Sequence, residues 1–447
     1  MSNVLEQAQV AADRKNWPQL VQCLQQLSIE GQRPYSQPQL TTDEPIEQAQ
    51  ETDNLKQVVS LAIKVLEWGD FQDRWDVAKI LPNLGTSAIA PLIAVLEDED
   101  ADTEQRWFAA RILGEFDRPE VIQALAELVK NPDEELSQIA AETLANLGPT
   151  AIDCLTTLLL QEDLRQFATS ALAQIRRSET IAPLLTVVKD PQAAVRTAAI
   201  EALSSFHDPR IPPVLVEALT DPATAVRKEA ARSLGLRSYL DGELDLVKLL
   251  KPLLWDIRLE VCSSAAIAIG RLKTDAAAAA LVELLRSATT PVALQIEAIR
   301  ALGWMETAAA LDNLQQVLIT RFSEINSTVC QEIVIVLGRV ETPELKAKAA
   351  EILIDLLAGD RPTVQLVEIK KSLAVGLGKL GNPRALDALI QMLADPDNSV
   401  RLHSTAALKQ LSADGAKQQL ESLVKQDNLE PELKQGITIA LQEWQEN

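Results

Sequence analysis

Two tryptophans, Trp75 and Trp107, are each followed four residues later by a cation, Lys79 and Arg111. On a helix, residues four apart share a face, so each indole has a positive charge beside it. A cation over an indole face forms a cation–π pair, and Trp and Arg are the residue types that dominate binding hot spots. The chemistry on offer is recognition: stacking on flat surfaces and charge-assisted hydrogen bonding to carboxylates. Arg232 and Arg300 hold the equivalent position farther along and extend the stripe, which Ile267, Ile335 and Val375 interrupt. A packing role fits the same residues, with the indoles covering a groove between helix layers and the two cations merely solvated. Drift in the repeat would then bury the three apolar residues.

Bond-making chemistry leaves no local trace. The sequence holds no GxSxG, GxxxxGK[ST], GxGxxG or HExxH pattern, so no catalytic residue is assigned. His207 and His403 are the only histidines, and Cys23, Cys154, Cys262 and Cys330 form no short-spaced set, so neither a metal site nor a disulfide framework is expected. His207 reads as a turn residue, and Cys262 and Cys330 as small packing residues. With 42 basic against 64 acidic residues the chain of 447 carries a formal charge of −22, which argues against nucleic acid as the main partner. The N-terminal MSNVLEQAQVAADRK lacks the basic and apolar regions of a secretory signal, and the apolar run AAAAALVELL is too short to span a bilayer. The expectation is a soluble cytoplasmic protein.

What must position the stripe is a repeat. Segments such as AVRTAAIEALSSF, AVRKEAARSLGLR and SVRLHSTAALKQL align on V-R-x-x-A-x-x-x-L-G-x-L-G. Counting the Arg slot as zero, it and the small or apolar positions +3, +7 and +10 fall on one side of a helix, leaving +1 and +5 on the outside. The slot falls at Arg74, Arg106, Ser137, Arg165, Arg196, Arg227, Cys262, Gln295, Cys330, Lys370, Arg401 and Lys434, twelve copies in all. Their spacing of roughly thirty residues suits a helix–turn–helix unit. A partner helix such as VIQALAELVKN or RALDALIQMLAD precedes each slot, and Asx-Pro turns such as Asp190-Pro191, Asp221-Pro222 and Asp395-Pro396 divide the two. Asp stands six residues before Arg at 100/106, 190/196, 221/227 and 395/401, which predicts a ladder of caps and ion pairs that fixes the stacking of units.

The predicted fold is all-α: an α-solenoid over residues 54–447, preceded by a helical hairpin over 1–27 and a polar, proline-containing linker over 28–53. The repeats resemble HEAT repeats, and D-P-x-x-x-V-R with A-x-x-x-L-G resembles the short HEAT-like repeat of the phycobilisome bilin-lyase family, over about residues 54–447. That resemblance implies a superhelix of about twelve helix pairs. Its lyase members attach linear tetrapyrroles to cysteines of phycobiliproteins, and other members act in chromophore removal or assembly. No lyase motif is matched here, so no catalytic position is carried over.

Two other solenoid families are set aside. Deoxyhypusine hydroxylases resemble the repeat but require His-Glu pairs, and the sequence has no His-Glu dipeptide. HEAT-like DNA glycosylases need a basic face, against a net charge of −22. The expected function is a non-enzymatic scaffold or assembly factor that holds a protein partner along one long helical face and needs no cofactor. Under the resemblance the partner is a phycobiliprotein or another photosynthetic complex subunit. The alternative is a bilin lyase or chromophore-handling protein acting on phycobiliproteins, in which a bilin would lie against Trp75 and Trp107 with its propionates on Lys79 and Arg111.

Overall fold

The computed structural model describes residues 2–31, 44–320, 325–359, 362–426 and 428–445. Among them the chain forms 26 α-helices and no strand, an all-α solenoid. The helices fall into two compact units, Met1–Ile211 and Pro212–Asn447.

In the first unit α1 (Ser2–Asp13) and α2 (Trp17–Gly31) form a hairpin that packs on α3 (Glu44–Trp68). Asn16 caps α2 by accepting the Gln19 amide at 3.3 Å. The expected linker is shorter than the sequence implied: residues 28–31 close α2 and α3 starts at Glu44 rather than Asn54, while residues 32–43 lie outside the described residues. The physical reason is that Glu, Gln and Ala favour helix even where no apolar stripe marks one, and a proline in the first turn, here Pro45, forfeits no hydrogen bond. Next come α4 (Phe71–Ala78), α5 (Ile89–Glu97) and α6 (Thr103–Leu113), with α5 packed against α6.

The predicted inward face is the core. In all twelve copies the +3 residue, from Val77 and Ala109 to Ser404 and Ile437, is 0% exposed. The +7 leucines Leu113, Leu144, Leu172, Leu203, Leu234, Leu302, Leu337, Leu377 and Leu408 are likewise fully buried. A helix with a single apolar stripe must bury it against a neighbour, and here the neighbours are the first helix of its own unit and the second helices on either side. Ile267 and Ile335 are half-buried and Val375 is exposed. Repeat drift therefore does not bury these three, because they stay on the outer side of their helices.

The slot residue serves the turn. The Arg196, Arg227 and Arg401 guanidiniums donate to the carbonyls of Asp190, Asp221 and Asp395 at 2.7–2.8 Å, each six residues back. Ser137 does the same for Asn131 at 2.8 Å, and the Cys262 thiol for Asp256 at 3.1 Å. The aspartate has two further tasks. Its Oδ1 accepts the amide two residues on, as in Asp190 to Gln192 at 2.8 Å, forming an Asx turn. Its carboxylate also receives the basic slot residue of the preceding repeat: Arg165–Asp190 at 2.9 Å in the first unit, and Arg227–Asp256 at 2.8 Å and Lys370–Asp395 at 2.7 Å in the second.

One rung differs from expectation. Asp100 is exposed, and Arg74 pairs instead with Asp102, at 3.0 Å, and with Glu104. Arg106 donates to the Leu96 carbonyl at 3.0 Å. The shift arises because Asp102 is the N-cap of α6, where it also accepts the Gln105 amide at 2.7 Å.

The Arg227 hydrogen bonds hold the Asp256 carboxyl below its ordinary range, even though partial burial opposes this. Arg227 is raised by the same pair. A carboxyl with a depressed folded-state pKa stabilises the fold above its unfolded value, near 3.9, and that contribution is lost as pH falls through the folded value. Thermal melts should therefore drop steeply below about pH 4, and Asp256→Asn should flatten that dependence while lowering the neutral-pH melting temperature. An unchanged acid slope in the variant would show that the rung does not contribute.

A candidate aromatic and cationic cleft

Four of the six candidate residues come together in the first unit. Trp75 lies on α4 and Lys79 immediately follows that helix, whereas Trp107 and Arg111 lie on α6. The Arg111 guanidinium carbon sits 5.3 Å from the Trp75 ring centre and 5.4 Å from that of Trp107, so one cation is shared between two indoles. Lys79 Nζ lies 5.7 Å from the Trp75 centre. Both cations are exposed and both indoles half-buried. Lys79 is tied to Asp76 at 2.8 Å, while Arg111 makes no ion pair among the described residues. Trp75, Lys79, Pro82, Asn83, Arg111 and Glu115 are among the residues that line an open cleft of about 390 Å³.

Two further rings hold the indoles in place. Phe108 is fully buried; Trp107 meets it edge-on at 5.2 Å and Trp75 at 6.5 Å. Phe71, 57% exposed, stacks on Trp75 at 6.3 Å and tilts onto Phe108 at 5.6 Å. Sequence reasoning missed both phenylalanines; the Trp107-Phe108 dipeptide was the available signal, since adjacent residues at the rim of a helix stripe point one outward and one inward. Below the rings the 6%-exposed Arg74 links the α3 carbonyl of Glu67, at 3.3 Å, to Asp102 and Glu104. Burial pushes the Asp102 carboxyl up, but hydrogen bonds from Arg74 and the Gln105 amide bring it below its ordinary range. This ion network fixes α4 against α6, and with it the spacing of the two indoles.

Arg232 and Arg300 lie in the second unit, each with its charge already matched. Arg232 grips Glu229 with Nε and Nη2 at 2.8–3.1 Å, and Arg300 is shared between Glu297 at 3.2 Å and Glu332 at 2.8 Å. These two guanidiniums already have carboxylate partners, whereas Arg111 has none among the described residues, although pairs as exposed as these are weak. Of the remaining chemistry-bearing residues, Cys262 is buried, and burial raises its thiol above the ordinary range. His403 Nδ1 donates to the Ser399 carbonyl at 2.6 Å.

Among the described residues no single helix is long and apolar enough to cross a membrane. One bent pair, Phe71–Ala78 with Leu81–Glu97, passes that test by length and composition, but its Leu81, Leu84, Leu92 and Leu96 are buried within the solenoid.

Paired amphipathic helices stacked through second-helix faces define an α-solenoid. The sequence model of HEAT repeats matches residues 89–164, 160–235, 212–295 and 367–442, more than half of the chain, and the protein belongs to the HEAT-repeat family. No curated protein sequence matches it. Among solved structures it is similar to importin beta, at 14% identity and TM-score 0.50, over 97% of this chain and 63% of that one. It is also similar to a structure titled as the Kap95:Nup1 complex, at 14% identity and TM-score 0.59, over 87% of this chain and 61% of that one. The protein thus spans about three-fifths of these two chains, and at such identity the likeness is one of fold.

Proposed function

We propose that this protein is a non-enzymatic, cytoplasmic scaffold or assembly factor that holds a protein partner on the outer positions of its second helices, anchored at the cleft lined by Trp75 and Arg111, with Trp107 beside Arg111. The observation that carries this reading is the shared guanidinium. Two indoles near its guanidinium carbon keep Arg111 oriented, and its edge N–H groups remain available to a partner carboxylate. Half-buried indoles over a fixed Phe108 base also pre-organise the site, so little side-chain entropy is lost on docking. The fold class, whose members commonly bind proteins, supports the same reading. The repeat's resemblance to the phycobilisome bilin-lyase family makes a cyanobacterial phycobiliprotein, or another photosynthetic complex subunit, the partner class.

The test is binding of purified phycobiliproteins to the immobilised protein. Arg111→Ala should weaken binding by about tenfold, and Trp75→Ala with Trp107→Ala by about a hundredfold, as hot-spot truncations do. The Arg111 variant should keep its melting temperature. Since the indoles also pack on Phe108, the double variant should melt a few degrees lower. Full binding by Arg111→Ala, or a cooperative collapse of the double variant, would reduce the cleft to packing. The open aromatic cleft with two cations also favours chromophore handling as a second reading. A saturable shift in the visible spectrum of an added linear tetrapyrrole, lost in the double variant, would select it.

A further inference from the structure

We infer that the second unit carries a separate docking cleft for an acidic segment of a protein partner, between helices Ser327–Leu337, Val367–Leu380 and Asn398–Leu423. Its cavity, about 210 Å³, is lined by Arg339, Lys371, Lys379 and His403, with Ile335 and Val375 among the lining residues and Glu368 as the one carboxylate among them. Three permanent cations against one carboxylate is a local reversal of a chain whose net charge is −22. Arg339 and Lys379 are exposed and make no ion pair among the described residues, while Lys371 is shared with Glu368 at 3.1 Å. Because a carbonyl can only accept, His403 donates through Nδ1 to Ser399; Nε2 of the neutral ring is then an acceptor, so the donors for a carboxylate are Arg339, Lys371 and Lys379.

The packing explains why a cavity opens here. Gly338 and Gly376 face one another so closely that a Cβ on Gly338 would lie 2.5 Å from the Gly376 Cα. Neither helix therefore places a side chain at that crossing, and the flanking Arg339, Val375 and Lys379 form the walls. The two apolar residues that interrupt the cationic stripe, Ile335 and Val375, give this cleft an apolar surface. Basic walls with an apolar surface match a short peptide with several carboxylates and one apolar side chain. A nucleic acid fits poorly, since no aromatic ring lines the cleft to stack a base and the chain as a whole repels a long polyanion.

The test uses the full chain and a fluorescent peptide of about ten residues, rich in Asp and Glu with one Leu, read by anisotropy. Saturable binding should weaken about tenfold as salt rises from about 0.05 M to about 0.5 M. Arg339→Gln with Lys379→Gln should cost about tenfold, and Leu→Ser in the peptide a few-fold. Arg111→Ala, at the first-unit cleft, should have no effect. Both substituted cations are exposed, so the melting temperature should hold; if the double variant melts lower, Lys379→Gln alone decides, with a loss of a few-fold expected. Absence of saturable binding, binding that survives these substitutions, or equal affinity for single-stranded DNA of the same charge would each overturn the inference.

Discussion

Arg227→Ala lowers the stability of the second unit by about 3 kcal/mol, an expected result that follows from what the substitution strands. Arg227 and Asp256 are each 11% exposed and joined by two hydrogen bonds, Nε to Oδ2 at 2.8 Å and Nη2 to Oδ1 at 2.9 Å. Removing the guanidinium leaves a largely buried carboxylate with only the Arg258 amide, at 2.8 Å, and it also frees the Asp221 and Pro222 carbonyls, which Arg227 caps at 2.8 and 3.0 Å. A surface ion pair would contribute a fraction of this, since water compensates exposed charges. Denaturant unfolding followed by circular dichroism measures the loss. Adding Asp256→Asn to Arg227→Ala should recover part of it, because the stranded charge is gone, and the double-mutant cycle gives the coupling. Peptide and partner binding at the two clefts should persist in the Arg227 variant. A selective loss of binding at unchanged stability would move Arg227 from the ladder to a binding surface.

The fold was legible in the sequence because a solenoid repeats its physics. Once the slot at Arg196, Arg227 and Arg401 was aligned, the burial of Ala199, Ala230 and Ser404 three residues on followed from helical geometry alone. Outward positions were legible for the same reason, which is how Trp75, Lys79, Trp107 and Arg111 emerged as a group. What period alone cannot give is a partner from another repeat. Asp256 was overlooked as a rung because Ile257 rather than proline follows it, yet it makes the same Asx turn and receives Arg227. Asp102 displaced Asp100 because the choice depends on which carboxylate caps α6. Arg232 and Arg300 were grouped with Arg111 by register, and only the neighbouring Glu229, Glu297 and Glu332 show that their charge is already matched. The second cleft was hidden for a related reason, since Ile335 and Val375 looked like breaks in a stripe until the crossing of Gly338 and Gly376 placed cations around them.

That crossing belongs to a rule which makes one kind of substitution act in opposite ways at two places. The +8 position of one second helix abuts the +6 position of the next: a Cβ on Gly235 would meet the Ala268 Cα at 2.6 Å, one on Gly270 the Ala301 Cβ at 2.9 Å, and one on Gly378 the Ala407 Cα at 2.8 Å. The obstacle is backbone or a Cβ, which cannot rotate away, so the neighbouring repeat must shift as a body. Gly235→Ala should therefore cost about 2 kcal/mol and Gly235→Val about 3 kcal/mol or more, although alanine is the better helix former by about 1 kcal/mol. Gly242 has nothing within 4 Å of its would-be Cβ and lies within the helix Asp241–Leu244, so Gly242→Ala should be neutral or stabilise by a few tenths of a kcal/mol. Combining Gly235→Ala with Ala268→Gly should recover only part of the loss, since removing the Ala268 Cβ leaves its Cα in the way. Denaturant midpoints of the four variants decide the matter. Equal stability of the Gly235 and Gly242 alanine variants would mean that the small residue at +8 is not set by close helix packing, and the same measurement repeated at Gly338 would then have to find another reason for the cleft beside it.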